Sequence, residues 1–188
     1  MAYAAALGRL NDLEQAIVSL AEADTAELDR VTGDWLDFVC AGLATVLSAG
    51  NDAHFRVAIW TDDETDPEYV KGLAYFGFDR HDPKYEKLPR ATTLAGWVIA
   101  HRQDHYAPDL KTCTLFMPRS NTPRYKSMYA APLGSEADPW AAITVDAPAL
   151  DGLSEERRAL IRRFGSLASV GARIARSRMT GPAGTISP

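Results

Sequence analysis

The chain has 188 residues, of which 46% are hydrophobic, enough for one domain with a substantial core. Its formal net charge of -5 gives no indication of a nucleic-acid partner, and its apolar runs, such as AAITV near Ile143, are far shorter than the ~20 residues that a membrane span needs. The N-terminus lacks the basic start of a signal peptide, and two cysteines far apart in sequence do not make a disulfide framework, so we expect a cytoplasmic protein with no membrane and no nucleic-acid partner.

Two amphipathic helices are predicted at the N-terminus. In the first, which ends before Asp24, apolar residues recur every three or four positions and form a narrow stripe. The second has a wider apolar face, typical of a helix that packs on a sheet, and ends at the Ala49-Gly50 turn. A single sheet-packed domain does not need the narrow stripe, which therefore predicts a dimer interface. The stripe consists of Tyr3, Leu7, Leu10, Leu13, Ile17 and Leu20.

A strand pair follows the second helix. Residues 54–62, HFRVAIWTD, alternate between apolar and mixed positions, as in a strand with two different faces. The acidic run at residues 62–67 predicts a hairpin loop, because it lacks the spaced ligands and central glycine of a calcium loop. The partner strand is predicted at residues 69–78, with Gly72 indicating a bulge or bend, and residues 79–90 are predicted to be a connecting loop.

The second half of the chain begins with TLAGWVIAHRQDHYAPDL, residues 93–110. This stretch predicts an amphipathic helix, a polar turn and a short strand that ends in Pro108-Asp109. Further on, SMYAAPL and PWAAITVD predict two antiparallel strands joined by a tight turn. The irregular segment between them, residues 111–127, has an apolar centre, and long irregular segments in compact domains usually serve a function.

A long amphipathic helix is predicted from Ser154, which is placed to cap its first turn. Its apolar face would pack on the sheet, and the rest of its surface is rich in arginine. We interpret this basic surface as a solvated helix face opposite the acidic residues of the N-terminal helices, Glu14, Glu22 and Glu27, rather than as a membrane-binding surface.

Taken in this order, the pieces resemble the second half of a GAF domain, a family of small-molecule sensor and dimerisation modules. The family pattern is an apolar-Gly-apolar helix, a polar turn, a short strand ending in Asp, a variable loop and an apolar strand ending in Pro-Leu. Gly96, Asp109, Pro132 and Leu133 occupy these positions, and the resemblance covers roughly residues 34–177.

The resemblance implies an α+β fold, with a GAF-like antiparallel sheet of five or six strands and the N- and C-terminal helices packed on one face. It divides the chain into an N-terminal dimerisation helix at residues 1–24, a GAF-like domain at 25–178 and a disordered tail at 179–188. The residues expected in the single sheet include Val57, Ile59, Leu73, Ala131, Ile143 and Val145.

The resemblance also implies a small-molecule pocket. Residues 111–127 would cover it, with Leu115 or Phe116 buried beneath and Asp109 holding the strand end through backbone hydrogen bonds. We predict a non-catalytic sensor or regulatory module that binds an unknown small molecule, needs no cofactor, and signals through a homodimer or a partner signalling protein. The candidate ligand-binding residues are Trp60, Tyr75, Tyr106, Asp109, Leu115, Phe116, Arg124, Tyr125 and Tyr129.

Three alternatives remain open. One branch of the family reduces free methionine sulfoxide with a catalytic cysteine backed by a resolving one; Cys113 lies in the matching loop, but a second cysteine is missing there. The cations of this loop, Lys111, Arg119, Arg124 and Lys126, could instead bind a phosphate or carboxylate. The aromatic residues could also simply fill the core of a structural dimerisation module. The four histidines are scattered and no serine-nucleophile motif is present, so we expect no metal and no catalytic serine.

Overall fold

The computed structural model describes residues 12, 15–24, 26–49, 53–78, 86–115, 124–135 and 139–179. A helical segment at residues 15–22 precedes three helices, α1 (Leu28–Ser48), α2 (Leu94–His101) and α3 (Glu155–Met179). The strands are β1 (Arg56–Asp62), β2 (Tyr69–Phe76), β3 (Lys87–Pro89), β4 (His105–Ala107), β5 (Ser127–Gly134) and β6 (Pro139–Ala147), and a single 3-10 turn, Arg90–Thr92, leads from β3 to α2.

The six strands form one sheet in the order β3-β2-β1-β6-β5-β4, and every neighbouring pair is antiparallel. This confirms the predicted antiparallel sheet. The register between β1 and β2 shifts where Ile59 pairs with Ala74 and Trp60 pairs with Gly72, which leaves Leu73 as the extra residue. The bulge indicated by Gly72 is therefore present.

The prediction of a loop for residues 79–90 is wrong at its C-terminal end, where β3 forms the edge of the sheet. Pro89 fits this position, because an edge strand can lack an N–H group without losing a ladder hydrogen bond. Lys87 also forms an ion pair with Asp63, which lies in the loop after β1. A strand of three residues with one proline is too short to show an alternating pattern in the sequence.

The two faces of the sheet are covered by different helices. On the face that we call the helical face, Val57, Ile59 and Ile143 are fully buried in the cluster that includes residues of α1 and α3. On the opposite face, Ala58 and Trp60 pack in a second cluster beneath α2. Burial of each large apolar side chain contributes about 1.5–3 kcal/mol to stability. The N- and C-terminal helices thus lie on one face, as predicted.

Helices α1 and α3 approach each other closely at glycine. A Cβ atom at Gly171 of α3 would lie closer than 3.0 Å to the indole of Trp35 of α1, which is 1% exposed. A second glycine of α3, Gly165, lies against Leu133 of β5, 2.8 Å from where its Cβ would be. The missing side chains let α3 pack tightly on both α1 and the sheet.

The described end of the first predicted helix packs against the domain itself. Leu20 is fully buried in the helical-face cluster, and Ile17 is half-buried against it. The remainder of the predicted stripe, Tyr3, Leu7, Leu10 and Leu13, lies outside the described residues. Leu20 is therefore occupied by the core of its own chain, whatever the rest of the stripe does.

Among the described helices, α1 alone is long and apolar enough to cross a membrane by length and composition. We expected no such segment from the sequence, because its uninterrupted apolar runs are far shorter than a membrane span. A core helix of a soluble protein meets the same criterion, and nine residues of α1 are buried within the protein.

Candidate functional site

Helix α2 is fixed at both ends by local interactions. The side chain of Thr93 accepts a hydrogen bond from the Gly96 N–H at 3.3 Å, which caps the N-terminus, and Arg102 ends the helix in the left-handed conformation. Glycine is required at position 96, because a Cβ atom would overlap the backbone of Arg90. The predicted apolar-Gly-apolar helix thus reflects close packing of α2 on the 3-10 turn.

The sheet face beneath α2 carries a row of aromatic side chains. The rings of Trp60 and Tyr75 lie edge to face with centroids 5.5 Å apart, and Tyr75 contacts Phe78 in the same way at 5.8 Å. Tyr75 lies over Gly72, where a side chain would collide with it. Burial, assisted by the charge of Glu86, raises the pKa of Tyr75 to about 12, so its hydroxyl stays neutral.

A buried ion pair lies at one end of this row. Arg56 of β1 donates to Asp146 Oδ2 of β6 from Nε at 2.8 Å and also from Nη2. The Asp146 side chain is 3% exposed, and its other oxygen, Oδ1, has no hydrogen-bond partner among the described residues. Burial raises the pKa of the Asp146 carboxyl, and the Arg56 guanidinium opposes that rise.

The Arg56 guanidinium is also held by aromatic rings. It lies 4.5 Å from the ring centroid of Phe78 and 4.0 Å from that of Tyr125. Nearby, the Trp60 indole N–H donates to Thr144 Oγ1 at 2.9 Å, two residues before Asp146 on β6. We call this group the α2-face site; it consists of Arg56, Trp60, Tyr75, Phe78, Tyr125, Thr144 and Asp146.

The structure brings together three of the predicted ligand-binding residues, Trp60, Tyr75 and Tyr125, on the face beneath α2. Two others, Tyr106 and Tyr129, do not join them, because both pack against the helical face. Alternation along β5 accounts for this in the case of Tyr129, which pairs with Val145 and shares its orientation. The aromatic residues thus divide between the two faces of the sheet.

Tyr129 and Tyr106 make polar contacts on the helical side. The Tyr129 hydroxyl donates to Asp104 and accepts a hydrogen bond from Arg162 of α3 at 2.9 Å, while the Tyr106 hydroxyl donates to Asp151 at 2.7 Å. Burial raises the pKa of both tyrosines, with a further contribution from the adjacent carboxylate. These contacts support a structural role for both side chains.

The predicted cover of the pocket is only partly described. Asp109 holds the strand end as expected, since its Oδ1 accepts a hydrogen bond from the Lys111 N–H at 2.9 Å. Leu115 is 36% exposed rather than buried, and Phe116 and Arg119 lie outside the described residues. The prediction that Leu115 or Phe116 is buried therefore fails for Leu115 and stays a prediction for Phe116.

The loop cations and Cys113 occupy different surroundings. Lys111, Arg124 and Lys126 are exposed, and Arg124 lies 5.9 Å from the Tyr125 ring. Cys113 is half-buried and packs against the cluster beneath α2. The other cysteine, Cys40, is fully buried on the helical face.

Two charged members of the α2-face site were missed from sequence. Arg56 and Asp146 are 90 residues apart in the chain, and each alone is an ordinary strand-end charge. One signal was available for Asp146: it falls in a nine-residue strand whose other members are almost all apolar. A charge within such a strand needs a partner or a function.

A surface groove of about 440 Å³ lies outside the α2-face site. Its lining comes from α2, from the 3-10 turn and from the ends of β2 and β3: Pro67, Glu68, Tyr69, Pro89, Arg90, Ala91, Gly96, Trp97, Ala100 and His101. The indole of Trp97 stacks on His101, with ring centroids 4.3 Å apart. No group of three or more His, Cys, Asp or Glu side chains that could hold a metal occurs within the described part of the chain.

No protein-family model matches the sequence, and no curated protein matches it at a significant level. Solved structures do match the fold. The GAF domain of a phosphoenolpyruvate-protein phosphotransferase from Coxiella burnetii matches with a TM-score of 0.66 and 15% identity, covering 92% of this chain and 97% of that chain. A type II free methionine-R-sulfoxide reductase from Thermoplasma acidophilum matches at 0.60 and 15%, covering 79% and 95%. The free methionine-R-sulfoxide reductase from Neisseria meningitidis, in complex with its substrate, matches at 0.58 and 16%, covering 82% and 94%.

These matches correct the prediction that the protein is not an enzyme. The same fold occurs in GAF domains and in methionine-R-sulfoxide reductases, so the exclusion of catalysis does not hold. At these identities, the likeness shows the fold alone. The six-stranded antiparallel sheet, with α1 and α3 on one face and α2 on the other, and the structures that match it show that this protein has a GAF-like fold.

Proposed function

We propose that the protein is a small-molecule-binding regulatory domain whose ligand lies at the α2-face site. The observation that carries this proposal is the oxygen Oδ1 of Asp146, which is buried and has no hydrogen-bond partner among the described residues. Buried polar atoms nearly always have a partner, and one that lacks it points to a bound molecule, water or ion. Its aromatic neighbours and few polar groups are typical of a ligand site.

The proposal can be tested with the purified protein. We expect a small molecule to be released on denaturation and detected by mass spectrometry from the wild type. Asp146→Asn should reduce the amount recovered, because the amide offers only one acceptor oxygen. Asp104→Asn, a carboxylate on the helical side of the sheet, is the matched control and should retain the molecule. Equal recovery from wild type and the Asp146 variant would contradict this location.

We further propose that the protein forms a homodimer through the helices that cover the helical face, and that these helices transmit the effect of ligand binding. Val18 and Val170 are each 45% exposed on the helices of this layer, and the nearby surface of α3 presents the exposed Arg163 and Arg173. Exposed apolar side chains beside charged ones suit a helical interface. Replacing both valines with glutamate should give a folded monomer by light scattering. A wild-type protein that is already monomeric at micromolar concentration would refute the dimer.

A second candidate function is reduction of methionine sulfoxide. The observation that favours it is the position of Cys113, whose side chain packs against the cluster beneath α2. Thiol-dependent turnover of free methionine-R-sulfoxide that is lost in Cys113→Ser and kept in Cys40→Ser would support this candidate. Cys40 is the matched control, because it is buried on the other face of the sheet. No turnover by the wild type would eliminate it.

A further inference from the structure

We infer that the molecule bound at the α2-face site is a cation of the ammonium or amidinium class, held by Asp146 against the aromatic side chains. This inference rests on the proposed function and names the chemistry of its ligand. It follows from the way in which Arg56 and Asp146 are paired and from the rings that surround them.

The pairing leaves one buried carboxylate oxygen without a hydrogen bond from the described residues. An arginine that binds a carboxylate as a fork donates one hydrogen bond to each oxygen. Arg56 instead donates both Nε and Nη2 to Oδ2 of Asp146, so Oδ1 takes no part in the pair. A carboxylate oxygen only accepts hydrogen bonds. The ligand atom that meets Oδ1 must therefore be a donor, and a carboxylate or phosphate head group would be repelled.

A positively charged donor fits the electrostatics better than a neutral one. The Asp146 side chain is 3% exposed, and burial disfavours its charged form, as the direction of its pKa shift indicates. Among the described residues, Arg56 forms the ion pair with this carboxylate, at Oδ2. A second cation at Oδ1 would stabilise the carboxylate and would itself be neutralised, whereas a neutral donor would satisfy the hydrogen bond alone.

The surrounding rings already hold one cation. The guanidinium of Arg56 lies over Phe78 and Tyr125 at 4.5 and 4.0 Å, which shows that this part of the site accepts a planar cation. Tyr75 joins Phe78 to Trp60 through edge contacts, so the aromatic row continues away from Arg56. A cation at Oδ1 would thus belong to the same aromatic cluster that surrounds the Arg56 guanidinium.

Three probes with one ring and different head groups separate the possibilities: benzylammonium, benzyl alcohol and benzoate. The reporter is the NMR resonance of the Trp60 indole N–H, a group that donates a hydrogen bond to Thr144. The resonance is assigned by its loss in Trp60→Phe. The indoles of Trp35 and Trp140 serve as internal references, because both belong to the cluster on the helical face. We expect benzylammonium to shift the Trp60 resonance saturably and to bind about tenfold more tightly than either other probe.

Substitutions of two carboxylates test whether benzylammonium binding depends on Asp146. Asp146→Asn should weaken benzylammonium binding by about tenfold, because the amide nitrogen that replaces Oδ1 cannot accept a hydrogen bond from an ammonium group. It should leave benzyl alcohol unchanged, because a hydroxyl can accept from that nitrogen. Asp104→Asn should leave both unchanged. If Asp146→Asn fails to fold, the ranking of the three probes on the wild type still decides the question.

Each outcome has a separate meaning. Benzoate or benzyl alcohol binding as tightly as benzylammonium would overturn the cation inference while leaving a ligand site in place. If no probe binds, the charge of the co-purified molecule decides: a cation supports the inference, and a neutral molecule or an anion overturns it. If none of the three probes binds and no molecule co-purifies with the protein, the proposed function itself is overturned.

Discussion

Replacing Gly171 with alanine tests the contact between α1 and α3. Alanine in a helix interior is favoured over glycine by about 0.5–1 kcal/mol. At position 171, however, the new methyl group would lie closer than 3.0 Å to the indole of Trp35, which is buried and cannot swing into solvent. Overpacking of this kind costs about 1–3 kcal/mol, so the net destabilisation should lie between about 0 and 2.5 kcal/mol.

The chain provides matched controls for this substitution. A Cβ at Gly33 of α1 would meet nothing within 4 Å beyond the backbone of its own helix and its chain neighbours, so Gly33→Ala should stabilise the protein by about 0.5–1 kcal/mol. At Gly42 the new Cβ would lie 3.4 Å from Phe164, an ordinary contact, and the effect should fall between the two. The free energy of unfolding is measured by urea denaturation at one protein concentration. Equal stabilisation by Gly33→Ala and Gly171→Ala would refute the close packing of Trp35 on α3.

Three other substitutions test separate parts of the structure. Leu20→Ala should cost about 2–5 kcal/mol in urea denaturation, because Leu20 is fully buried in the helical-face cluster; a loss below about 1 kcal/mol would mean that it is not core. Hydrogen bonding to Lys87 lowers the pKa of Asp63, so this carboxylate stabilises the fold at neutral pH and loses its effect as the pH falls below about 4. Asp63→Asn should therefore be less stable than wild type at pH 7, and the difference in the free energy of unfolding should shrink in acid. A difference that stays constant with pH would contradict this role of Asp63. In the native protein a thiol reagent should modify half-buried Cys113 and spare Cys40 until unfolding, and Cys113→Ser should abolish the native-state reaction; rapid labelling of Cys40 would conflict with its burial.

The sheet and its helices could be predicted because their patterns are local. Alternation in β1 separates Val57 and Ile59 from Ala58 and Trp60, and the structure places the two sets on opposite faces. Ser154 begins α3 as expected, since its hydroxyl accepts a hydrogen bond from the Arg157 N–H at 3.5 Å. Each of these features depends on residues a few positions apart, and the chain itself carries the signal.

The candidate site was harder to predict, because it depends on which residues meet across the sheet. Tyr129 and Trp60 are both aromatic residues of predicted strands, yet they lie on opposite faces of the sheet. An alternating strand shows which residues share a face and does not show which helix covers that face. Arg56 and Asp146 become neighbours only through the pairing of β1 with β6, and no local pattern records that pairing.

The turn after α2 connects the two faces of the sheet. Asp104, which lies just beyond the end of α2, accepts hydrogen bonds from Tyr129 on the helical face and from Arg162 of α3 at 3.2 Å. Arg162 is held in turn by Glu155 at 2.6 Å, so the contact joins the start of α3 to the end of α2. A ligand that bound at the α2-face site and shifted α2 would therefore act on α3 through the Asp104 carboxylate as well as through the strands. Because Asp104 lies outside the α2-face site, the proposed binding at Asp146 and a transmission to α3 would depend on different residues and could be separated by mutation.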